Sequence, residues 1–183
     1  MSSRIIAFLL LLLLFPLFLL VGIFIITADG FPVFFRQKRI GIYNTIFIMY
    51  KFRTMRKDTP DIATHLLEDP EKYVLKIGKV LRKLSLDEFP NLLNIIKGEM
   101  NFVGPRPALY NQYDLMELRT KNGVDSQKPG LTGWAQINGR DEISIEDKVV
   151  LETWYKQNCS WLLNVKIIIK TLLKSFIGKG VTH

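Results

Sequence analysis

Cysteine and histidine are nearly missing from this chain. The single Cys159 excludes an internal disulfide, and the two histidines, His65 and His183, stand too far apart in sequence for a zinc-binding spacing. A base-stacking aromatic motif and a recognisable nucleic-acid-binding helical module are both missing, so no nucleic-acid partner is expected. There is no internal repeat. The most telling absence is charge. Ile5 to Ile26 is a run of 22 residues without one charged side chain, and Pro16 stands at its middle.

A straight helix over that run measures about 33 Å, enough to cross the core of a bilayer. Proline removes a backbone donor and clashes with the preceding turn, so Pro16 kinks the helix. A kink at mid-length allows a re-entrant path, in which the segment enters one leaflet and leaves on the side it entered. Positive charge flanks both ends: Arg4 before the run, and Arg36, Lys38 and Arg39 after it. Cytoplasmic flanks are enriched in such residues, so both ends are expected on the cytoplasmic side. The alternatives are a spanning helix and a secretory signal. The signal fits poorly, because its apolar region is shorter and Thr27-Ala28-Asp29 is a poor cleavage site. The domain reading is therefore a re-entrant membrane helix over 1–30 and a cytoplasmic catalytic domain over 31–183.

The net charge of +8 falls almost wholly on the second part. Beside a membrane anchor, that balance favours anionic lipid surfaces and phosphorylated small molecules. Val33-Phe34-Phe35 and Thr45 to Met49 have strand composition around a turn at Gly41 and Asn44, which predicts a hairpin. The stretch from Arg56 to Asp69, with Pro60, reads as a loop or short helical turn. Helical spacing is expected over Glu71–Lys83, from Leu86 to Gly98, and over Tyr110–Lys121. In Ser160–Phe176, Leu162, Val165, Ile168/Ile169, Leu172/Leu173 and Phe176 form an apolar stripe. Lys166, Lys170 and Lys174 form a basic one. Such a helix either lies in the headgroup plane or turns its apolar face into the core. The fold class is α/β and mostly helical, a small mixed globular domain with interfacial amphipathic helices.

Asp87 and Glu88 are adjacent carboxylates at the expected positive end of a helix, which favours their ionised forms. An ionised Asp can act as a nucleophile, and an adjacent Glu can hold a divalent cation. The bland alternative is a capping box, with Glu88 reaching back to the amide of Ser85. Arg106 stands between Pro105 and Pro107, and Arg140 follows Gly139, which would let a ligand approach closely. A planar guanidinium suits bidentate phosphate recognition. Lys51 and Arg53 extend the cationic set, or else decorate a solvated strand face.

Five ordered motifs carry a resemblance over almost the whole chain. They are Tyr50 to Met55, Ser85 to Pro90, Val103 to Pro107, Pro129 to Gly133 and Gln136 to Arg140. Together they resemble the bacterial sugar transferase family, the small monotopic phosphoglycosyl transferases that begin surface-glycan assembly at the bacterial inner membrane. The resemblance implies that Asp87 attacks the sugar-linked phosphate of a UDP-sugar and UMP leaves. A phosphosugar–aspartyl intermediate then passes to a polyprenol phosphate, usually undecaprenyl phosphate. It implies Mg2+ held with the help of Asp87 and Glu88, and phosphate contacts from Arg106, Arg140, Lys51 and Arg53. Phe15 stands where relatives commonly have Ser before the helix-breaking proline. The segment Ala108 to Tyr113 resembles members that take N-acetylated 6-deoxy sugars, so a UDP-N-acetylhexosamine derivative is expected over UDP-galactose or UDP-glucose. Two rivals remain: a non-catalytic module that binds anionic lipid, and a metal-dependent phosphohydrolase.

Overall fold

The computed structural model describes residues 2–60, 69–139 and 143–177, with the side chains of 175–177 left out. It is a mostly helical α/β fold with one long apolar helix at the N-terminus. That helix, α1, runs from Ser2 to Asp29 and carries Pro16 inside it. Between residues 7 and 25 its less exposed positions are 7, 10, 11, 14, 17, 18, 21, 22 and 25, a helical stripe that continues on both sides of Pro16. Leu12, Phe15, Leu19, Leu20 and Ile23 are exposed on the other faces.

The expected hairpin forms from β1 (Phe34–Ile40) and β2 (Ile46–Phe52), antiparallel, with Phe34 opposite Phe52 and Ile40 opposite Ile46. Tyr43 and Asn44 take positive φ in the turn. Helix α1 rests chiefly on the Leu92–Lys97 helix, with side chains of β2 in the same core. Ala7 packs with Phe47 and Met49, and with Leu92, Ile95 and Met100. Val21 and Ile25 pack with Phe52 and Leu81. The apolar helix therefore shares its core with the domain along its whole length.

The expected helix over Glu71–Lys83 is two pieces, α2 (Pro70–Tyr73) and α3 (Lys76–Lys83). The break arises because Val74 bridges Met55 and the Leu75 amide donates to the Thr54 carbonyl, so the chain is drawn out beside β2. Gly78 makes this approach possible, since a Cβ there would lie 2.3 Å from the Thr54 carbonyl oxygen. After α3, Ser85 adopts left-handed backbone (φ 55°, ψ 24°) and reverses the chain into a 3-10 turn, Leu86–Asn91. This turn runs into α4, Leu92–Lys97, which ends at the left-handed Gly98.

Beyond α4, β3 (Asn101–Val103) pairs in parallel with β4 (Gly130–Thr132). Between the two strands lies α5 (Tyr113–Lys121), three residues shorter at its start than expected. Three helices follow: α6 (Trp134–Asn138), α7 (Ile145–Asn158) and α8 (Trp161–Ile177). Sequence periodicity did not mark the short β3–β4 pair or α7. The expected loop over 56–69 lies partly outside the described residues.

The face that α8 turns to the domain is Leu163, Ile167, Ile168 and Thr171, with Ile167 fully buried. The expected apolar stripe splits: Leu162, Val165, Ile169, Leu172 and Leu173 are all exposed. The core-facing alternative thus fails for these five, and Phe176 lies among the side chains left out. Lys174 leaves the basic stripe and donates to the Ile137 carbonyl at 2.6 Å. Trp154 stacks on Trp134, ring centroids 4.6 Å apart.

Because the Gly78 site is closed by backbone, Gly78→Ala should destabilise the domain by about 1–3 kcal/mol. Denaturant unfolding of the detergent-solubilised protein measures this, and an unchanged midpoint would mean that α3 does not press on Thr54.

Candidate active site

The left-handed turn at Ser85 directs the next residues under β2. Asn94, fully buried, fastens them there. It donates to the Ile48 carbonyl at 2.6 Å and to Glu99 at 2.7 Å, and it accepts from the Tyr50 amide at 3.3 Å. The result places Asp87 inside and Glu88 at the edge of a cleft.

The capping box does not form. Ser85 is not in the extended backbone that an N-cap requires, makes no side-chain cap, and donates its own amide to the Arg82 carbonyl. Glu88 instead accepts from Lys51 Nζ at 2.7 Å and from Arg106 Nη2 at 3.2 Å, both on the same Oε1. Lys51 comes from β2 and Arg106 from the loop after β3, so Glu88 is the junction of three segments.

Asp87 is buried, and its Oδ1 has no hydrogen-bond partner. Burial, and then the like charge of Glu88, push its carboxyl pKa up to about 6, with Lys51 and Arg82 pulling the other way. This corrects the expectation that the helix end favours the ionised form of Asp87. The element is a single 3-10 turn, and desolvation outweighs its small dipole at Asp87. At pH 7 the group is still mostly ionised, with an uncommitted oxygen.

Arg106 is positioned from behind. The Gly104 and Pro105 backbone crosses that of Lys128 to Gly130 so closely that a Cβ on Gly130 would lie 2.1 Å from the Gly104 amide nitrogen. Arg119 of α5 donates to the Arg106 carbonyl at 2.9 Å. Its guanidinium is held by Glu152 of α7 in a buried, forked pair, at 2.8 Å from Nε and 2.5 Å from Nη2. Arg39 of β1 adds a hydrogen bond to the Pro107 carbonyl at 2.9 Å. A narrow cleft is lined by Glu88, Asn91, Arg39, Arg106 and Pro107.

Arg53 does not join this group. Its guanidinium is buried against Asp29 and donates to the carbonyls of Pro32 and Gly30, tying the end of α1 to β2. The alternation along β2 explains this: Lys51 and Arg53 share a face, but Arg53 lies past the strand end. Arg140 lies outside the described residues. Gly139 faces Ile143, whose Cγ2 would lie 2.3 Å from a Cβ there, so a neighbouring side chain rather than a ligand takes that space. Four contributors escaped sequence reading: Arg82, Asn94, Arg119 and Glu152. Arg82 donates to Thr54 Oγ1 at 2.9 Å and its charge acts on Asp87. Arg119 and Glu152 are 33 residues apart, and no local pattern pairs them.

A divalent cation fits the donor set. Mg2+ is held by one or two carboxylates together with substrate phosphates and water. The orphaned Asp87 oxygen and the Glu88 carboxylate provide that pair. Among the described residues, no cluster of three or more His, Cys, Asp or Glu groups offers a closed metal cage.

Residues 1–178 match the family described as bacterial sugar transferase. The chain is 46% identical over 154 residues to the uncharacterized sugar transferase EpsL of Bacillus subtilis (strain 168), covering 83% of this chain and 74% of that one. It is 32% identical to the undecaprenyl-phosphate galactose phosphotransferase of Salmonella typhimurium, over 80% of this chain and 34% of the relative. It is 33% identical to the UDP-N-acetylgalactosamine-undecaprenyl-phosphate N-acetylgalactosaminephosphotransferase of Aeromonas hydrophila, over 90% and 40%.

Removing one partner of a buried ion pair leaves an uncompensated charge, so Glu152→Gln should cost about 3–5 kcal/mol of stability. The double variant Arg119→Met/Glu152→Met should recover most of that loss in denaturant unfolding. Recovery of stability without recovery of donor affinity would separate the packing of this pair from its hold on Arg106.

Proposed function

The chain belongs to the bacterial sugar transferase family, and from that footing we propose that it moves a sugar-1-phosphate from a UDP-sugar to undecaprenyl phosphate through an aspartyl intermediate. It is a transferase. The observation that carries the finer reading is Asp87, a buried carboxylate with an unpartnered oxygen beside a carboxylate already bridged by two cations.

In this reading an Asp87 oxygen attacks the sugar-linked phosphorus. A P–O bond to Asp87 forms, the bond to the other phosphate breaks, and UMP leaves. The lipid phosphate then attacks the same phosphorus, and the Asp87 carboxylate is regenerated. Attack by an anion on a diphosphate requires neutralisation of charge at the transferring group. Arg106 and Lys51 supply it once phosphate oxygens compete with Glu88 for them. Bound Mg2+, held by Asp87 and Glu88, would add Lewis-acid stabilisation of the phosphoryl oxygens. Relatives of nearly equal identity carry different sugars in their names, so similarity does not choose the sugar. The reading of an N-acetylated hexosamine rests on the Ala108–Tyr113 resemblance alone.

The acceptor is a lipid, so the site must stand at headgroup height. The exposed apolar faces of α1 and α8 support a seat in one leaflet. Support for the re-entrant path comes from the two ends of α1, which meet one body. The Arg4 guanidinium lies over Gly98, and Asp29 pairs with Arg53. Pro16 stands on the exposed side of the stripe, where a bend would be convex toward lipid and return both ends to the domain. An anionic-lipid module would need none of the Asp87, Glu88 and Arg106 arrangement. Pure protein with a UDP-sugar panel, Mg2+ and polyprenol phosphate separates the readings. A transferase makes lipid-linked product, a hydrolase needs no lipid, and a lipid-binding module releases nothing.

Asp87→Asn should abolish transfer while the fold persists. The raised pKa means that ionised Asp87 opposes folding: stability is greatest below the ordinary carboxylate range and declines as pH rises through about 6. The Asn variant should therefore unfold at pH 7.5 no lower than the parent and with a flatter pH dependence between 4 and 7. Parent protein incubated with donor alone should gain a phosphosugar mass on Asp87. Near-normal turnover in Asp87→Asn would end the assignment.

Topology has its own measurement. Cysteines placed at Ser2 and Ala28 in a Cys159→Ser background should both resist a membrane-impermeant thiol reagent in intact cells. Labelling at Ser2 from outside would mean that α1 spans the membrane.

A further inference from the structure

We propose that Asn91 reads the sugar of the donor, accepting a hydrogen bond from a hydroxyl or amide N–H of the transferred sugar. This rests on the donor being a UDP-sugar, as proposed above. Asn91 closes the 3-10 turn that opens with Asp87 and Glu88. It is 1% exposed, and its Oδ1 is buried without a hydrogen-bond partner. It lines the same cleft as Glu88, Arg39 and Arg106.

A buried amide oxygen left unmet is destabilising, and an apolar residue of the same shape would remove that cost. Entry of a hydrogen-bond donor into the cleft would meet the orphan atom. Phosphate oxygens at neutral pH are acceptors and match the cationic donors Arg106 and Lys51. They cannot satisfy another acceptor. Among the groups of the UDP-sugar, the partner of Asn91 must donate. On a UDP-sugar the donors are the sugar hydroxyls or acetamido N–H, the ribose hydroxyls and the uracil N–H. Asn91 stands one turn from the reacting carboxylate, so the group beside it is bonded to the reacting phosphorus. The nucleoside lies beyond a second phosphate. The acceptor therefore faces the sugar.

Asn91→Leu, which keeps the shape and removes the acceptor, tests this with three readouts. Its unfolding midpoint should equal or exceed that of the parent. Its kcat/KM for the preferred UDP-sugar should fall about ten- to hundredfold, with discrimination among UDP-sugars narrowing. Its affinity for UDP, measured by calorimetry, should match the parent's, while its affinity for the UDP-sugar weakens. A lowered midpoint with uniform loss on every donor and on UDP would show a structural asparagine and overturn the proposal. Unchanged discrimination, or a weakened grip on UDP itself, would overturn it as well. Asn91→Ala carries the same comparison if the leucine variant does not fold. Failure of the transferase reading is visible separately: the parent then yields no lipid-linked product, while the calorimetric difference between UDP-sugar and UDP still reports on Asn91.

Discussion

The Glu88 carboxylate, held by Lys51 and Arg106 on one oxygen, is the contact on which the site depends. Each of the three residues arrives on a different segment: the end of the hairpin, the 3-10 turn and the Pro-rich loop. Two cations on one carboxylate fix the separation of those segments without using up the charge. One net positive charge remains at the cleft beside Asp87, which suits an anionic substrate. In the proposed reaction the same contact holds the cations ready for phosphate, because a phosphate oxygen can replace a carboxylate oxygen in kind.

Burial of Asp87 is possible because the backbone around it is committed elsewhere. Asn94 satisfies the Ile48 carbonyl and the Tyr50 amide, so strand and turn meet without orphaned main-chain groups. Arg119 and Glu152 do the same for the Arg106 loop. Among the described residues four buried side-chain oxygens remain unmet, on Asp87, Asn91, Gln127 and Gln136, and of these Asn91 lines the cleft beside Glu88.

The long apolar helix is part of this architecture and not an appendage. Its buried stripe runs through Pro16 and packs chiefly on α4, in a core shared with β2, the strand that also carries Lys51. Arg53 closes the joint by neutralising Asp29 and capping the carbonyls that follow α1. A membrane seat for α1 therefore fixes the height of the chemistry above it.

Some of this was legible in the sequence because it is local. Charge absence over Ile5–Ile26 set the long helix, alternation set the hairpin, and adjacent Asp87 and Glu88 marked the proposed site. Five motifs in order marked the family. What local pattern could not reach depended on distance along the chain. Lys51 and Arg53 look alike in sequence, yet only the end of β2 decides that one meets Glu88 and the other meets Asp29. Ser85 and Glu88 have the spacing of a cap, and the left-handed backbone at Ser85 cancels it. Arg119 and Glu152 look like solvated charges until α5 and α7 pack together. The sequence by itself determined which residue types were available and where the apolar run lay. Tertiary structure decided which charges are buried, which are paired and which are left over, because burial and pairing are set by segments that meet only on folding.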